Sequence, residues 1–278
     1  MITYLLKTYQ STYYYVSATI LFPFSFLLIN APASDKVVDI NPPHGYKRNV
    51  INEQSFASYL RQLELKPKGT KVKYYNGSFK LNQNAHYRII DLDIGSKNLQ
   101  QCADAIIRLR AEYFYSIGDF KSIHFNFTSG DTAKYLNWIQ GYRPQVKNNH
   151  VDWIKSHPPD ESYISFRKYL DTVFMYSGSY SLKKELLQVP DLNKIEIGDV
   201  FIQGGFPGHA VIVIDMARSL TDGKIAILLA QSYMPAQDIH ILVNQNDSNL
   251  SPWYIVGRTD KLYTPEWTFD WCDLYRFK

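Results

Sequence analysis

His209 has the most telling setting of the seven histidines in the sequence. It follows Gly204-Gly205-Phe206-Pro207-Gly208, and small residues there let the backbone come close and leave the imidazole accessible. Ala210 to Ile214 is purely apolar, as expected of a strand buried on both faces. Thr221-Asp222-Gly223 is turn chemistry, and the return strand ends at Ala230-Gln231-Ser232. A turn centred on residue 220 or 221 places Gln231 or Ser232 opposite His209. Hairpin partners bring their Cβ atoms to about 5.5 Å, so the Gln231 oxygen can accept from an imidazole N–H and fix ring and tautomer. Asp215 cannot orient the ring, because six residues of strand put it about 20 Å away.

A histidine held in this way suits a general base, which calls for a nucleophile. Cys102 is the candidate. Leu99, Cys102, Ile106, Leu109 and Tyr113 step by three or four, so they share one face of a helix capped by Ser96 or Asn98 and running through Tyr115. Unpaired amides and the dipole at that helix start lower a thiol pKa, and a neighbouring His209 lowers it further. Two other readings stay open for Cys102: a buried inert thiol, and a bridge to Cys272, the second of only two cysteines. Other chemistries lack their patterns. There is no HxxxH pair, no Gly-x-Ser-x-Gly elbow and no Gly-rich phosphate loop, so no metal and no cofactor is expected.

Further residues are candidates for substrate contact. Asp91 and Asp93 share one strand face ahead of the Cys102 helix and suit a substrate amine, or simply cap the following turn. Ser232 and Tyr233 open a polar-aromatic loop, Gln231 to Gln237, beside the proposed site. Trp138 and Arg143 are candidates for a cleft wall, with core packing or a surface ion pair as the plain alternative.

The elements that must position these residues read as α+β. A short helix is expected over Glu53 to Leu65, a hairpin about Asn76-Gly77, and a strand over Tyr87 to Ile94. The 102 helix follows, then a strand over Ser122 to Thr128 with Ile123, Phe125 and Phe127 on its buried face. Helices are expected over Ala133 to Gln140, Ser162 to Tyr176 and Ser181 to Val189, with a polar surface loop over Gly141 to Pro159. Strands then follow at Asp199 to Gln203, His209 to Met216 and Lys224 to Gln231, with shorter ones after. Helices first and an antiparallel meander after is the α+β order.

The chain has 278 residues, 45% of them hydrophobic, and a net charge of +4 with no Lys/Arg block, which excludes disordered and nucleic-acid-binding classes. Lys7 is the only charge before Asp35, Val16 to Ile29 is largely apolar, and Ala31-Pro32-Ala33 offers a small-x-small cleavage site. Residues 1–33 read as a secretory signal peptide, with an uncleaved anchor as the alternative; the apolar run falls short of the roughly 20 residues a span needs. The expected mature chain, residues 34–278, is one exported domain, periplasmic or extracellular, with no integral membrane segment after cleavage.

Ile197-Gly198-Asp199-Val200-Phe201-Ile202, the glycine loop and His209-Ala210-Val211-Ile212-Val213-Ile214 resemble the Gly-Asp strand and His strand of NlpC-type, papain-like cysteine peptidases. In that superfamily a helix-start cysteine comes first, then the histidine, then a polar orienting residue; Cys102, His209 and Gln231 stand in this order. The Asp-Cys-Ser-Gly motif is replaced by Gln101-Cys102-Ala103-Asp104, and 107 residues separate cysteine from histidine, so 129–195 would be a helical insertion. The resemblance implies a papain-like core with the nucleophile helix packed on an antiparallel sheet. It also implies an oxyanion site at the Cys102 amide with Gln100 or Gln101, and a cell-wall peptide or other extracellular amide as substrate. An acyltransferase would use the same three residues. A non-catalytic protein binding a glycan or peptide on the same fold is the alternative. Asp91-Leu92-Asp93-Ile94-Gly95, Leu99 to Ala105 and Leu229 to Gln237 also resemble signature stretches of an uncharacterised family of exported bacterial proteins.

Overall fold

The computed structural model describes residues 35–148 and 150–278. The expected signal segment, residues 1–33, lies outside them. Nine strands form the main sheet: β1 (Tyr46–Arg48), β2 (His86–Ile89), β3 (Leu187–Gln188), β4 (Val200–Gln203), β5 (His209–Ser219), β6 (Ile225–Gln231), β7 (His240–Leu242), β8 (Tyr254–Ile255) and β9 (Leu274–Arg276). Their order is β2-β7-β6-β5-β4-β9-β3, with β1 added to β5 and β8 to β6, and the neighbouring pairs are antiparallel. Among the described residues five α-helices accompany it: α1 (Phe56–Arg61), α2 (Cys102–Ser116), α3 (Tyr135–Ile139), α4 (Tyr163–Tyr176) and α5 (Ser179–Glu185). The fold is therefore mixed α+β on a mostly antiparallel sheet. Among the described residues no helix is long and apolar enough to cross a membrane.

Strand β5 is the spine. Its first nine residues are buried, and β6 and β4 flank it, each equally poor in polar residues. Such continuous apolar runs belong to strands covered on both faces. The turn at Leu220 to Gly223 closes the β5–β6 hairpin, with Gly223 at φ 71° where a side chain would be strained.

Helix α2 starts later than its periodicity suggests. Gln101 is the N-cap, and the Asp104 carboxylate accepts from its backbone N–H at 3.0 Å. Residues 96–101 stay non-helical, which moves Cys102 to the first helical position. The expectation of one inward face is also too narrow: Cys102 through Leu109 are all buried. Ile106 and Leu109 are wholly buried, each worth about 1.5–3 kcal/mol. The polar residues Asp104, Arg108 and Glu112 follow one another at i,i+4, and Arg108 donates to Glu112 at 2.5 Å and to Gln100 at 2.8 Å.

Ile123, Phe125 and Phe127 face the core as their alternation requires, in a hairpin of His124–Asn126 with Thr132–Lys134. The segment Gly141 to Pro159, expected as a loop, carries a six-rung hairpin, Tyr142–Lys147 with His150–Lys155. Its strands do alternate, with Tyr142, Pro144, Val146, Val151 and Trp153 on one face and Val151 buried, but a proline and many polar residues give the segment the composition of a loop.

Asp215, on β5, is fully buried and accepts from Arg48 at 2.6 Å and Arg61 at 2.8 Å. It ties β1 and α1 to the sheet and plays no part at His209. Removing the carboxylate strands two guanidinium groups, one of them buried. Asp215→Ala is expected to cost about 3–5 kcal/mol of unfolding free energy, read as a lower urea midpoint at unchanged slope.

Candidate active site

The mouth of β5 meets the start of α2. A side chain on Gly208 would lie 2.3 Å from the Ser179 hydroxyl and 2.6 Å from the Gly205 carbonyl, so glycine lets α5 and the loop close in just before His209. The expectation of close backbone approach holds there, but the imidazole is not accessible. His209 is 1% exposed, with its ring packed against Tyr233 (4.8 Å between centroids), Trp267 (5.4 Å) and Phe269 (5.9 Å).

His209 Nε2 lies 2.8 Å from Gln231 Oε1. The ladder reaches this contact differently from the simple register argument. A shift between Leu228 and Leu229 leaves Ala230 opposite Ile212 as the last pair of the ladder, so Gln231 falls beside Val211, two residues along β5 from His209. Gln231 therefore reaches the ring from the diagonal position on the same face, a distance a long side chain spans.

Cys102 is 9% exposed at the first position of α2. The backbone N–H of Ala210, the residue after His209, acts on its sulfur, as do those of Ala103 and Cys102 itself. The thiol thus lies beside the strand that carries the imidazole. No hydrogen bond joins sulfur to ring among the described residues, and the cysteines are free thiols, so no bridge to Cys272 exists.

The electrostatics differ from a preformed ion pair. Burial, followed by the Asp104 carboxyl two residues on in the same turn, pushes the Cys102 thiol up to about 11, against the pull of the backbone N–H groups. That rise corresponds to about 3 kcal/mol, more than the about 0.3–1 kcal/mol a helix N-terminus offers an exposed group. Burial likewise lowers His209 to about 4, with Gln231 opposing and Lys80 reinforcing the fall. The resting pair is a neutral thiol beside a neutral imidazole. The expected acidified thiol is thus not what this burial produces.

Ser232 does not face outward as a substrate contact. It is fully buried, with its hydroxyl 3.0 Å from the Gln100 carbonyl and 2.9 Å from that of Gln237, so it fastens the end of β6 to the approach of Cys102. Tyr233 is half-buried and edge-on to His209. Gln101 is the α2 cap, its amide near Asn98 Oδ1 at 3.4 Å. Gln100 turns its oxygen to Arg108, and its buried Nε2 has no hydrogen-bond partner among the described residues. The remaining candidates lie elsewhere. Asp93 pairs with Arg167 at 2.9 and 3.2 Å and with Arg108, which hold its carboxyl below the usual range despite burial. Asp91 is exposed. Trp138 is buried, donates to Ser165 at 3.0 Å and carries Arg143 3.7 Å above its ring. Trp138 and Arg143 line a cavity of about 360 Å³ that includes none of Cys102, His209 and Gln231.

Three residues of the site escaped the sequence reading. Gln231 Nε2 donates to Glu266 at 2.8 Å and lies 3.4 Å from His240 Nε2; Lys80 in turn donates to Glu266 at 2.5 Å. Lys80 and His240 are buried. Separations of 35 and 186 residues leave no local pattern to read for Glu266 and Lys80; His240, nine residues on, faces Gln231 across β6 and β7.

Burial of His209 and His240, the latter lowered to about 3, makes stability depend on pH. Below about 6.5 the unfolded chain protonates both rings while the folded protein binds neither proton until about 4 and 3. Unfolding free energy is expected to fall as pH drops from about 6.5 towards 4, by up to about 1.4 kcal/mol per pH unit for each ring. Urea midpoints at pH 7, 6 and 5 measure it, and His209→Gln should remove one ring's share of the slope.

No curated protein and no solved structure matches the chain. A family model does: the one described as Domain of unknown function (4846) matches residues 38–276, a span that takes in Cys102, His209, Gln231 and Glu266, and the chain belongs to that family.

Proposed function

We propose that the protein is an exported thiol hydrolase, an amidase or peptidase with a papain-like, NlpC-like core, acting on cell-wall peptide or another extracellular amide. The observation that carries the reading is the His209 Nε2–Gln231 Oε1 bond of 2.8 Å beside a thiol at the first position of α2. Gln231 takes one ring nitrogen and leaves Nδ1 for the proton of the nucleophile. Cys102 Sγ attacks the amide carbonyl while Nδ1 takes the thiol proton. The same nitrogen then delivers that proton to the leaving amine, and water releases the acyl group. The Cys102 backbone N–H is the first donor for the developing oxyanion.

The high thiol value and the low imidazole value define when transfer occurs. Proton transfer from a neutral thiol to a neutral imidazole is uphill in the dry resting site. It becomes favourable in concert with carbon–sulfur bond formation, which consumes the thiolate as it forms. The apolar N-terminal segment supports export, and with it a substrate outside the cytoplasm. The burial of Cys102 is what favours the rival reading, a binding protein without catalysis on the same scaffold.

Iodoacetamide labelling of the native protein, read at each cysteine by mass spectrometry, tests the reading, with exposed Cys272 as internal reference. Cys102 should label without denaturant, and His209→Ala should slow it about tenfold or more while Cys272 is unchanged. Labelling of Cys102 only after denaturation would remove the hydrolase reading and select the binder. Where wall peptides are turned over, Cys102→Ala should abolish turnover, and Gln231→Ala should lower kcat by about 10–100-fold.

A further inference from the structure

Gln231 can orient His209 usefully only if its amide faces one way. With the oxygen towards the ring, Nε2–H is the donor and Nδ1 is the bare, basic nitrogen. With the amide turned over, its NH₂ faces the ring, Nε2 must be the bare nitrogen, and the proton moves to Nδ1, where it blocks the base. The surroundings of Gln231 decide between the two. His240 Nδ1 lies 2.8 Å from the Asp238 carbonyl, which only accepts, so Nδ1 carries the proton and Nε2 is bare. That bare nitrogen, 3.4 Å from Gln231 Nε2, asks for an N–H. The Glu266 carboxylate, 2.8 Å from the same atom, asks for the other. An amide has two N–H groups on one side and one oxygen on the other, and all three are now assigned. Turning it over would set its oxygen against a carboxylate and an imidazole lone pair in a buried site, where unpaired polar groups are most costly.

We propose that Glu266, seconded by His240, is a positioning residue that locks the Gln231 amide and thereby holds the proton of His209 on Nε2. The inference rests on the hydrolase reading for what the bare Nδ1 then does, while the lock itself is a matter of geometry. Lys80 completes the device. Its ammonium is buried against Glu266 at 2.5 Å and keeps a carboxylate in place beneath the amide. Glu266 stands in the turn of the hairpin Leu262–Tyr263 with Thr268–Phe269, whose Trp267 and Phe269 also pack on the His209 ring. One small hairpin thus supplies both the apolar wall of the imidazole and the charge that sets its tautomer.

The test reads the tautomer directly. The full chain labelled with ¹⁵N-histidine gives long-range ¹H–¹⁵N correlations that distinguish Nε2–H from Nδ1–H, and His209 is assigned by its loss in His209→Gln. Wild type should show His209 as Nε2–H. Lys80→Met/Glu266→Met removes the carboxylate without stranding the ammonium, and at least half of the Nε2–H population should be lost. Glu266→Gln keeps an acceptor and should retain that form. Nδ1–H in the wild type overturns the proposal without any variant. So does an unchanged Nε2–H signal in the double variant with native circular dichroism. If the double variant does not fold, the wild-type tautomer decides. The readout needs no substrate, so a lock that behaves as expected in a protein that turns over no wall peptide would count against the hydrolase reading alone.

Discussion

Burial of the eleven-residue strand β5 obliges each polar side chain in its covered part to find a partner inside the protein. The two such groups sit six residues apart and are answered differently. Asp215 draws in two arginines, one from β1 and one from α1. His209 gives up its charge and takes a neutral amide. The first answer fastens the outer elements to the sheet. The second produces a directional acceptor at the strand mouth, which is what a general base requires. The same constraint then passes outward from His209. Gln231 must satisfy its own amide, Glu266 must be neutralised, and Lys80 is drawn in against the desolvation that lowers its pKa. A chain of buried groups, each made necessary by the one before, runs from β5 to two loops distant in sequence.

The legibility of this arrangement divides along the range of the interactions. The β5–β6 hairpin, its turn at 220–223 and the pairing of His209 with Gln231 followed from alternation and turn chemistry, because hairpin partners are fixed by counting from a turn. Even there the turn is centred between residues 221 and 222, because Arg218 faces Ile225, and the bulge that leaves Ile214 unpaired then sets Gln231 diagonal to His209 on the same face, two details without a sequence signature. The start of α2 was misplaced because Leu99 fits the helical period yet precedes the Gln101 cap. Asp93 and Trp138 have the residue types of a binding site, and Ser232 stands beside one. Their roles were misread because an ion pair, a ring-to-hydroxyl bond and a buried strap need partners 27 to 132 residues away. Glu266 and Lys80 are invisible for the same reason, whereas His240 lies only nine residues from Gln231 and faces it across β6 and β7, a pairing that the irregular loop between the strands hides from counting. Periodicity reports which way a side chain faces, not what it meets.

The thiol shows how a local rule yields to its surroundings. A cysteine at a helix start receives backbone N–H groups and a favourable dipole, and both are present at Cys102. The same helix is buried on every side over its first two turns, with Asp104 enclosed beside the sulfur. Desolvation outweighs the dipole, and the thiolate is disfavoured in the dry, closed site. The same reasoning shows what would reverse it. Burial is the larger cause of the high thiol value, with the Asp104 carboxyl second. The dominant penalty is then the absence of solvent or of an electrophile at the sulfur, and either arrives only with a ligand. A substrate carbonyl placed against Sγ would accept the charge that the site refuses to hold as thiolate, and the neutral Nδ1 would already be bare to take the proton. In such a site, activation belongs to the encounter with substrate rather than to the resting cysteine. A geometry that looks inert by its thiol pKa is thereby compatible with catalysis, provided the tautomer of His209 is held. The proposed lock around Gln231 is the arrangement that would supply that condition.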